Sequence, residues 1–89
     1  MPSPSDRIVR MEVRIELKPG VIDPEAESVE KSLGLLGLAT VPQVETARIY
    51  DLEFPGISAK EAQRLTREAV DRLLANPVIH RVTVRRMPP

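Results

Sequence analysis

The stretch of sequence that decides the fold is LKPGVIDPE, residues 17–25, where a strand ends, the chain turns and a helix begins. Pro19 removes a backbone donor, and Gly20 can adopt the positive φ angles that tight turns often require. Asp23 offers its carboxylate as an N-cap acceptor, and Pro24 occupies the first helical position, where its missing N–H costs nothing. The stretch therefore predicts a strand-to-helix junction, which is a structural signal and not a chemical one.

A strict alternation of apolar and charged residues leads into this junction. Apolar residues occupy the odd positions from Val9 to Leu17, and charged residues occupy the even positions from Arg10 to Lys18. A period of two over ten residues is typical of a half-buried strand with one wet, charged face.

The helix that Asp23 caps is predicted to run from about residue 24 to residue 36, with Gly37 as its C-terminal cap. Its apolar residues recur at helical spacing and predict one buried face. This face consists of Ala26, Val29, Leu33 and Leu36.

A second helix begins at Ser58-Ala59-Lys60-Glu61, which has the pattern of a capping box. It stops at Asn76-Pro77, because Pro77 disfavours the helical conformation of the residue before it. The expected buried stripe consists of Ala62, Leu65, Ala69 and Leu73, widened by Val70 and Leu74.

Two further strands are predicted, one between the helices and one after them. In the middle strand, 44–54, the apolar positions change from odd (Ala47, Ile49) to even (Leu52, Phe54), which predicts a bulge, a bend or a split strand near Tyr50-Asp51. In the last strand, apolar residues are expected on one face and polar residues mainly on the other. The apolar face consists of Val78, Val82 and Val84.

The element order is therefore β-α-β-α-β, or β-α-β-β-α-β if the middle strand splits. Amphipathic helices and strands in this order predict the α+β class, as a two-layer sandwich in which a small antiparallel sheet carries both helices on one face. We expect a single domain over residues 1–89, with 1–7 disordered and 88–89 frayed.

Composition excludes several classes of function. Thirteen Lys and Arg balance thirteen Asp and Glu, and this zero net charge argues against nucleic-acid binding driven by phosphate neutralisation. The chain has no cysteine, which excludes disulfides, thiolate metal sites and a cysteine nucleophile. Its apolar stretches are too short to span a membrane, and its first residues do not resemble a signal peptide, so a soluble cytoplasmic protein is expected.

Candidate chemical sites are weak. His80 is the only histidine, lacks catalytic or metal-binding partners, and is expected at a core edge or a subunit contact. The arginines of the last strand, with Arg10 and Arg14, are expected on a salt-bridged face, because the stacking aromatics of an RNA-binding sheet are missing there. From the residues alone, the chain is a small non-catalytic α+β domain.

Two stretches of this sequence resemble conserved blocks of the PurS family. Residues 17–25, followed by Val29 and by 33–37, look like the first block, and residues 73–79 look like the last block. The middle strand departs from the family pattern, because a Gly-Lys pair that family members usually carry is missing near Tyr50-Asp51.

PurS proteins are the small subunit of phosphoribosylformylglycinamidine synthase in de novo purine biosynthesis. The resemblance implies a non-catalytic homodimer or dimer of dimers that helps a glutaminase and a large synthetase subunit to assemble and that supports ammonia transfer between them. It also implies that ATP, Mg and glutamine are used by those partners and that this chain binds no cofactor. The partner-binding positions implied are Lys18, Gly20, Asp23, Arg48, Asn76 and Pro77.

An alternative of another class is a stand-alone ligand-binding regulatory domain on a similar sandwich. An acylphosphatase-like enzyme would need an arginine-bearing phosphate cradle after the first strand. Residues 18–21 contain no arginine, which counts against that version.

Overall fold

The computed structural model describes residues 7–38, 40 and 42–88. In chain order the elements are β1 (Ile8–Leu17), α1 (Pro24–Leu35), β2 (Ala47–Pro55), α2 (Ala59–Ala69), a π-helical turn (Val70–Leu74) that continues α2, and β3 (His80–Arg86). The disorder expected at the two ends falls mostly on residues 1–6 and 89, which lie outside the described residues. At Arg7 the backbone carbonyl accepts a hydrogen bond from the Gly56 N–H at 3.0 Å.

The three strands form one antiparallel sheet in the order β2-β1-β3. β1, the strand with the ten-residue alternation, lies in the centre, because it pairs with β2 on one side and with β3 on the other. This sheet and the two helices confirm the predicted α+β class and the β-α-β-α-β order. No helix among the described residues combines the length and the apolar character needed to cross a membrane.

The core lies between the sheet and α2. The odd residues of β1 from Val9 to Ile15 are buried there as predicted, with exposed fractions between 0 % and 8 %, whereas Leu17 is half-buried. Near the start of α2, Val9 and Met11 pack with Ala62; near its end, Val13 and Ile15 pack with Val70. The period of two therefore gave the buried face of the central strand correctly.

The bulge or split expected in β2 is wrong. β2 pairs with β1 without interruption from Ile8↔Pro55 to Glu16↔Ala47. Tyr50, Leu52 and Phe54 face the core, whereas Ile49 remains on the open face of the sheet and is 48 % exposed. The apparent change of face came from two apolar residues that lie on the open face, so no extra residue is needed.

The last turn of α2 also differs from the expectation. The Ala75 N–H donates to the carbonyl of Val70, five residues back, at 3.2 Å, so the helix ends in a wider π turn. Ala62 and Val70 are buried as predicted, but Leu73 is 82 % exposed. A π turn contains more residues than an α-helical turn. Leu73 is therefore rotated away from the buried position that α-helical spacing predicts for it.

Thr66 is fully buried in α2, although the sequence did not indicate it as a core position. Its hydroxyl donates to the carbonyl of Ala62 at 2.7 Å. The bond to the preceding helical turn satisfies the hydroxyl inside the core.

Helix α1 ends within one residue of the prediction, but Ala26 in its first turn is its one buried residue. Ala26 is 4 % exposed, whereas Val29 is 40 % and Leu36 is 73 % exposed, so the predicted buried face is wrong for this chain alone. α1 packs along neither the sheet nor α2. The radius of gyration is 17.8 Å, against about 12 Å for a compact chain of this length.

Candidate partner-binding site

The six positions implied by the family resemblance lie towards one end of the sheet, where β1 finishes and β2 and β3 start. Lys18 and Gly20 are in the turn after β1, and Asp23 caps α1. Arg48 is the second residue of β2, and Asn76-Pro77 precedes β3. This shared location follows from the antiparallel order, because strands that pair with β1 begin where β1 ends.

Lys18 and Pro77 are in direct contact although 59 positions separate them. The Lys18 ammonium donates to the Pro77 carbonyl at 2.6 Å, and the Lys18 backbone N–H donates to the Ile79 carbonyl at 2.8 Å. Gly20 follows with φ +86°, a conformation that glycine adopts without strain. The turn after β1 is therefore fastened to the segment that precedes β3.

Asn76 organises that second segment. Its side-chain oxygen accepts from the Val78 N–H at 2.9 Å, its backbone N–H donates to His80 Nδ1 at 2.9 Å, and its carbonyl accepts from the His80 N–H at 2.8 Å. This tight turn places Val78 outside β3 at 76 % exposed, so the prediction that Val78 shares the apolar face of the strand is wrong. We call residues 18–20 together with 76–80 the corner.

His80 has a structural part in the corner. Its Nδ1 is an acceptor for the Asn76 N–H, so that nitrogen carries no proton in this arrangement. The imidazole is half-buried at the start of β3. This position fits the expectation of a histidine at the edge of the core.

Asp23 performs the predicted capping and makes one further contact. One carboxylate oxygen accepts from the Ala26 N–H at 3.0 Å, and the other accepts from the Thr46 hydroxyl at 2.5 Å. These hydrogen bonds, that of Thr46 most of all, lower the pKa of Asp23 below its ordinary value. Because Thr46 lies 23 residues away, local sequence gave no signal for this contact.

Arg48 lies beside the corner. Its guanidinium is 3.5 Å from the Tyr50 hydroxyl. With Glu25, Leu74 and His80, it lines a small cavity of about 240 Å³. His80 also lines a larger open groove of about 790 Å³ on the other side, between β3 and the end of α2.

The open face of the sheet is salt-bridged, as predicted. Glu16 contacts Arg14 and Arg81, each at 3.1 Å, and Glu12 contacts Arg85 at 3.3 Å. The hydrogen bond from Arg81, followed by that from Arg14, lowers the pKa of Glu16. These arginines are therefore neutralised within the sheet.

The polar side chains of the corner make internal hydrogen bonds. The described residues contain no group of three or more His, Cys, Asp or Glu side chains placed to hold a metal ion. The polar groups of the corner are engaged in fixing the backbone: Lys18 holds Pro77, and His80 holds Asn76. This arrangement fixes the shape of the corner.

Comparison with known proteins agrees with this description. The family model of PurS, described as phosphoribosylformylglycinamidine (FGAM) synthase, matches residues 10–88. A PurS subunit of that synthase from Archaeoglobus fulgidus is 42 % identical over 73 residues, covering 82 % of this chain and 91 % of the relative.

Solved structures show the same fold. PurS from Methanocaldococcus jannaschii, described as one of the subunits of formylglycinamide ribonucleotide amidotransferase in the purine biosynthetic pathway, matches with a TM-score of 0.77 at 30 % identity. The match covers 89 % of this chain and 95 % of that one. A chain in the structure of PurLQS from Thermotoga maritima matches with a TM-score of 0.78, covering 91 % and 99 %; at 23 % identity this likeness shows the fold alone.

The fold defines a small α+β protein with a ferredoxin-like arrangement of three strands and two helices. The chain belongs to the PurS family, the small non-catalytic subunits of phosphoribosylformylglycinamidine synthase, a ligase complex of purine biosynthesis. The expectation drawn from residues 17–25 and 73–79 is confirmed. The comparisons give no support to a stand-alone regulatory domain.

Proposed function

We propose that this subunit works as a homodimer that joins a glutaminase subunit to a large synthetase subunit and supports the passage of ammonia between them. The synthetase and glutaminase use ATP, Mg and glutamine, and this chain holds none of them. The proposal places the assembly in the cytoplasm. The observation that supports this proposal best is the corner. There the polar groups of two segments that are distant in the sequence hydrogen-bond to the backbone and hold one rigid surface.

The exposed side of α1 supports the homodimer. Its apolar side chains, with those flanking the helix, have large exposed fractions: Ile22 72 %, Val29 40 %, Leu35 85 %, Leu36 73 % and Leu38 46 %. A helix of twelve residues has little stability by itself in water, so tertiary or quaternary packing must maintain it. A second copy of this chain can cover these residues and gain roughly 1.5–3 kcal/mol for each large side chain that becomes fully buried.

The corner supports contact with the larger subunits. Lys18, Gly20, Asp23, Arg48, Asn76 and Pro77 occupy one end of the sheet, whereas the exposed apolar residues from Val29 onwards lie further along α1 and just past its end. Two separate surfaces allow the subunit to bind itself and a partner at the same time. The Thermotoga maritima chain of the same fold comes from a structure of PurLQS, a name consistent with an assembly of three kinds of subunit.

The test is reconstitution of the complex with the Lys18→Ala variant. The substitution removes the 2.6 Å bond to Pro77, so the corner loosens and binding to the partners is expected to weaken several-fold in sedimentation velocity. Synthesis supported by glutamine is expected to fall, while synthesis from added ammonium salt by the same synthetase falls less, because free ammonia does not need the glutaminase.

Lys60→Ala is the matched control, because Lys60 is an exposed lysine at the start of α2, next to the other end of the core. It should leave assembly and both activities unchanged. If Lys18→Ala and Asn76→Ala both assemble like the unchanged protein, the corner is not the partner surface.

A further inference from the structure

β3 has a free edge whose hydrogen-bonding groups can be assigned. The Lys18 N–H bonds the Ile79 carbonyl and the Met87 N–H bonds the Arg10 carbonyl, each at 2.8 Å. Because bonded pairs alternate along an antiparallel ladder, the odd residues of β3 bond β1 and the even ones point away from it. The N–H and C=O groups of Val82 and Val84 therefore face outwards, and within the described part of the chain no strand pairs with them.

A groove lined by apolar and polar residues in equal number runs beside this edge. Its volume is about 790 Å³, and it lies between β3 and the end of α2 with its π turn. Val70, Val82 and Val84 form its floor, where they also belong to the core. The edge from His80 to Val84 is roughly 13 Å long at about 3.3 Å per residue, enough for a short added strand whose alternate side chains enter the groove.

The rim of the groove carries more positive than negative charge. Lys18 belongs to the corner and Arg67 lies on α2, and neither forms an ion pair among residues 7–38, 40 and 42–88. Asp71 is the one acidic residue of the lining. A strand that brings a carboxylate to this rim would therefore be favoured over a neutral or basic one.

A second copy of β3 fits this edge poorly in the register that pairs Val82 with Val84. If Val82 of one copy bonded Val84 of the other in an antiparallel pair, Arg81 would stand directly opposite Arg85 across the new ladder. Like charges in that position destabilise strand pairing. β3 also carries three arginines and no acidic residue, so a second copy would bring no carboxylate to the rim, and the edge is better suited to a strand of different sequence.

We propose that an extended acidic segment of one of the larger subunits adds to the free edge of β3 as a fourth strand. Its main chain bonds the outward groups of Val82 and Val84. One apolar side chain enters the groove over Val70, and a carboxylate lies near Lys18 and Arg67. This inference rests on the proposed function, because it names how a partner subunit is held.

The test is residue-resolved hydrogen–deuterium exchange of the subunit alone and in the complete complex, with the mass of the complex measured on the same sample. The amides of Val82 and Val84 are expected to exchange at least about tenfold more slowly in the complex, since new strand bonds protect them. Ile49 and Asp51 are the control, because their amides face outwards on the free edge of β2 and should be unchanged.

Three outcomes would overturn the inference. In the first, the complex assembles while Val82 and Val84 exchange as fast as in the free subunit. In the second, these amides are already protected in the free subunit, which would assign the edge to a second copy. In the third, no complex forms, which would contradict the proposed function and this inference with it; the measured mass distinguishes this outcome from the others.

Charge variants test the rim separately. Arg67→Glu should weaken assembly several-fold, and Asp71→Asn should strengthen it, because an acidic strand senses the two changes with opposite sign. Lys60→Glu at the start of α2 makes the same change of charge as Arg67→Glu far from the groove and should have no effect. Equal responses of Arg67→Glu and Lys60→Glu would rule out the acidic strand.

Discussion

Asp23 shows how one residue joins segments that are distant in the sequence. Its carboxylate caps α1 through Ala26 and holds the chain before β2 through Thr46. Both hydrogen bonds favour the ionised form, so folding lowers the pKa of this carboxyl. In the unfolded chain the pKa is close to its ordinary value of about 3.9. The unfolded state therefore binds more protons in acid, and the stabilisation is lost as the pH falls through the folded pKa.

We expect Asp23→Asn to remove this pH dependence. Asparagine keeps a cap acceptor for the Ala26 N–H but has no charge, so the variant should be less stable than the unchanged protein at pH 7. The difference should shrink as the pH falls below about 4, because the unfolded chain takes up a proton there while the folded carboxyl, with its lowered pKa, resists protonation. Urea unfolding at pH 7, 5 and 3, at one protein concentration, measures it.

Asp51→Asn is the control for Asp23→Asn, because Asp51 is an exposed carboxylate on β2. A stability difference between Asp23→Asn and the unchanged protein that stays constant from pH 7 to pH 3 would contradict the role given to the Asp23 charge.

At the scale of the elements, the helix ends that single residues mark are predicted well. Asp23, Ser58 and Gly37 mark helix ends in the sequence, and the structure confirms all three. Side-chain capping and positive φ are local properties that need no knowledge of the rest of the chain. For the same reason, residues 24–36 were placed within one residue of the observed helix.

Features that depend on tertiary packing were missed. The π turn changes which side of the helix each residue after Ala69 faces. The sequence of residues 70–74 contains no pattern that predicts such a turn. In β2, Ile49 lies on the open face because Tyr50, Leu52 and Phe54 together fix the register. The alternation alone does not show that three core-facing residues outweigh the apolar Ile49. It therefore suggests a bulge where the strand is continuous.

The N-cap of α2 gives a prediction at this scale. Ser58 Oγ accepts from the Glu61 N–H at 3.1 Å, so Ser58→Ala leaves that donor without its cap. The expected loss is about 1 kcal/mol of unfolding free energy, measured by urea denaturation. Ser32→Ala is the control, because Ser32 is exposed within α1 and alanine favours a helix.

A loss as small for Ser58→Ala as for Ser32→Ala would mean that the cap of α2 does not contribute. In either case the slope of the transition should be unchanged, since both variants expose the same surface on unfolding.

At the scale of the whole molecule, α1 shows a limit of sequence patterns. Helical spacing identified an apolar side, yet in this chain that side faces solvent, with Leu36 at 73 % exposed. Periodicity reports that a face avoids water and is silent about which molecule covers it. The candidate site has the same limit. The resemblance to the family indicated Lys18 and Pro77, whereas the contact of Thr46 with Asp23 and the place of Arg67 beside the groove are seen only in the structure.

We expect Leu36→Glu to convert the proposed homodimer into a monomer. A charge placed on the apolar side of α1 must be desolvated when a second copy covers it, which opposes association. Sedimentation equilibrium should show the mass of one chain, and far-UV circular dichroism should show that the sheet and α2 persist.

Lys31→Glu changes the charge on the polar side of the same helix and should remain dimeric. If Leu36→Glu has the mass of two chains, the homodimer uses a different surface and the proposed role of α1 is wrong.

Tyr50 gives this subunit an optical property. The chain contains one tyrosine and no tryptophan, and that tyrosine is half-buried at the middle of β2, against the cluster of Val13, Ile15 and Val70. All intrinsic fluorescence of the isolated protein above the phenylalanine range therefore originates at one site in its core. Quenching or recovery of this emission therefore reports the packing of the sheet against α2. Because one tyrosine absorbs little at 280 nm, the protein concentration is better measured from the absorbance of the peptide bond.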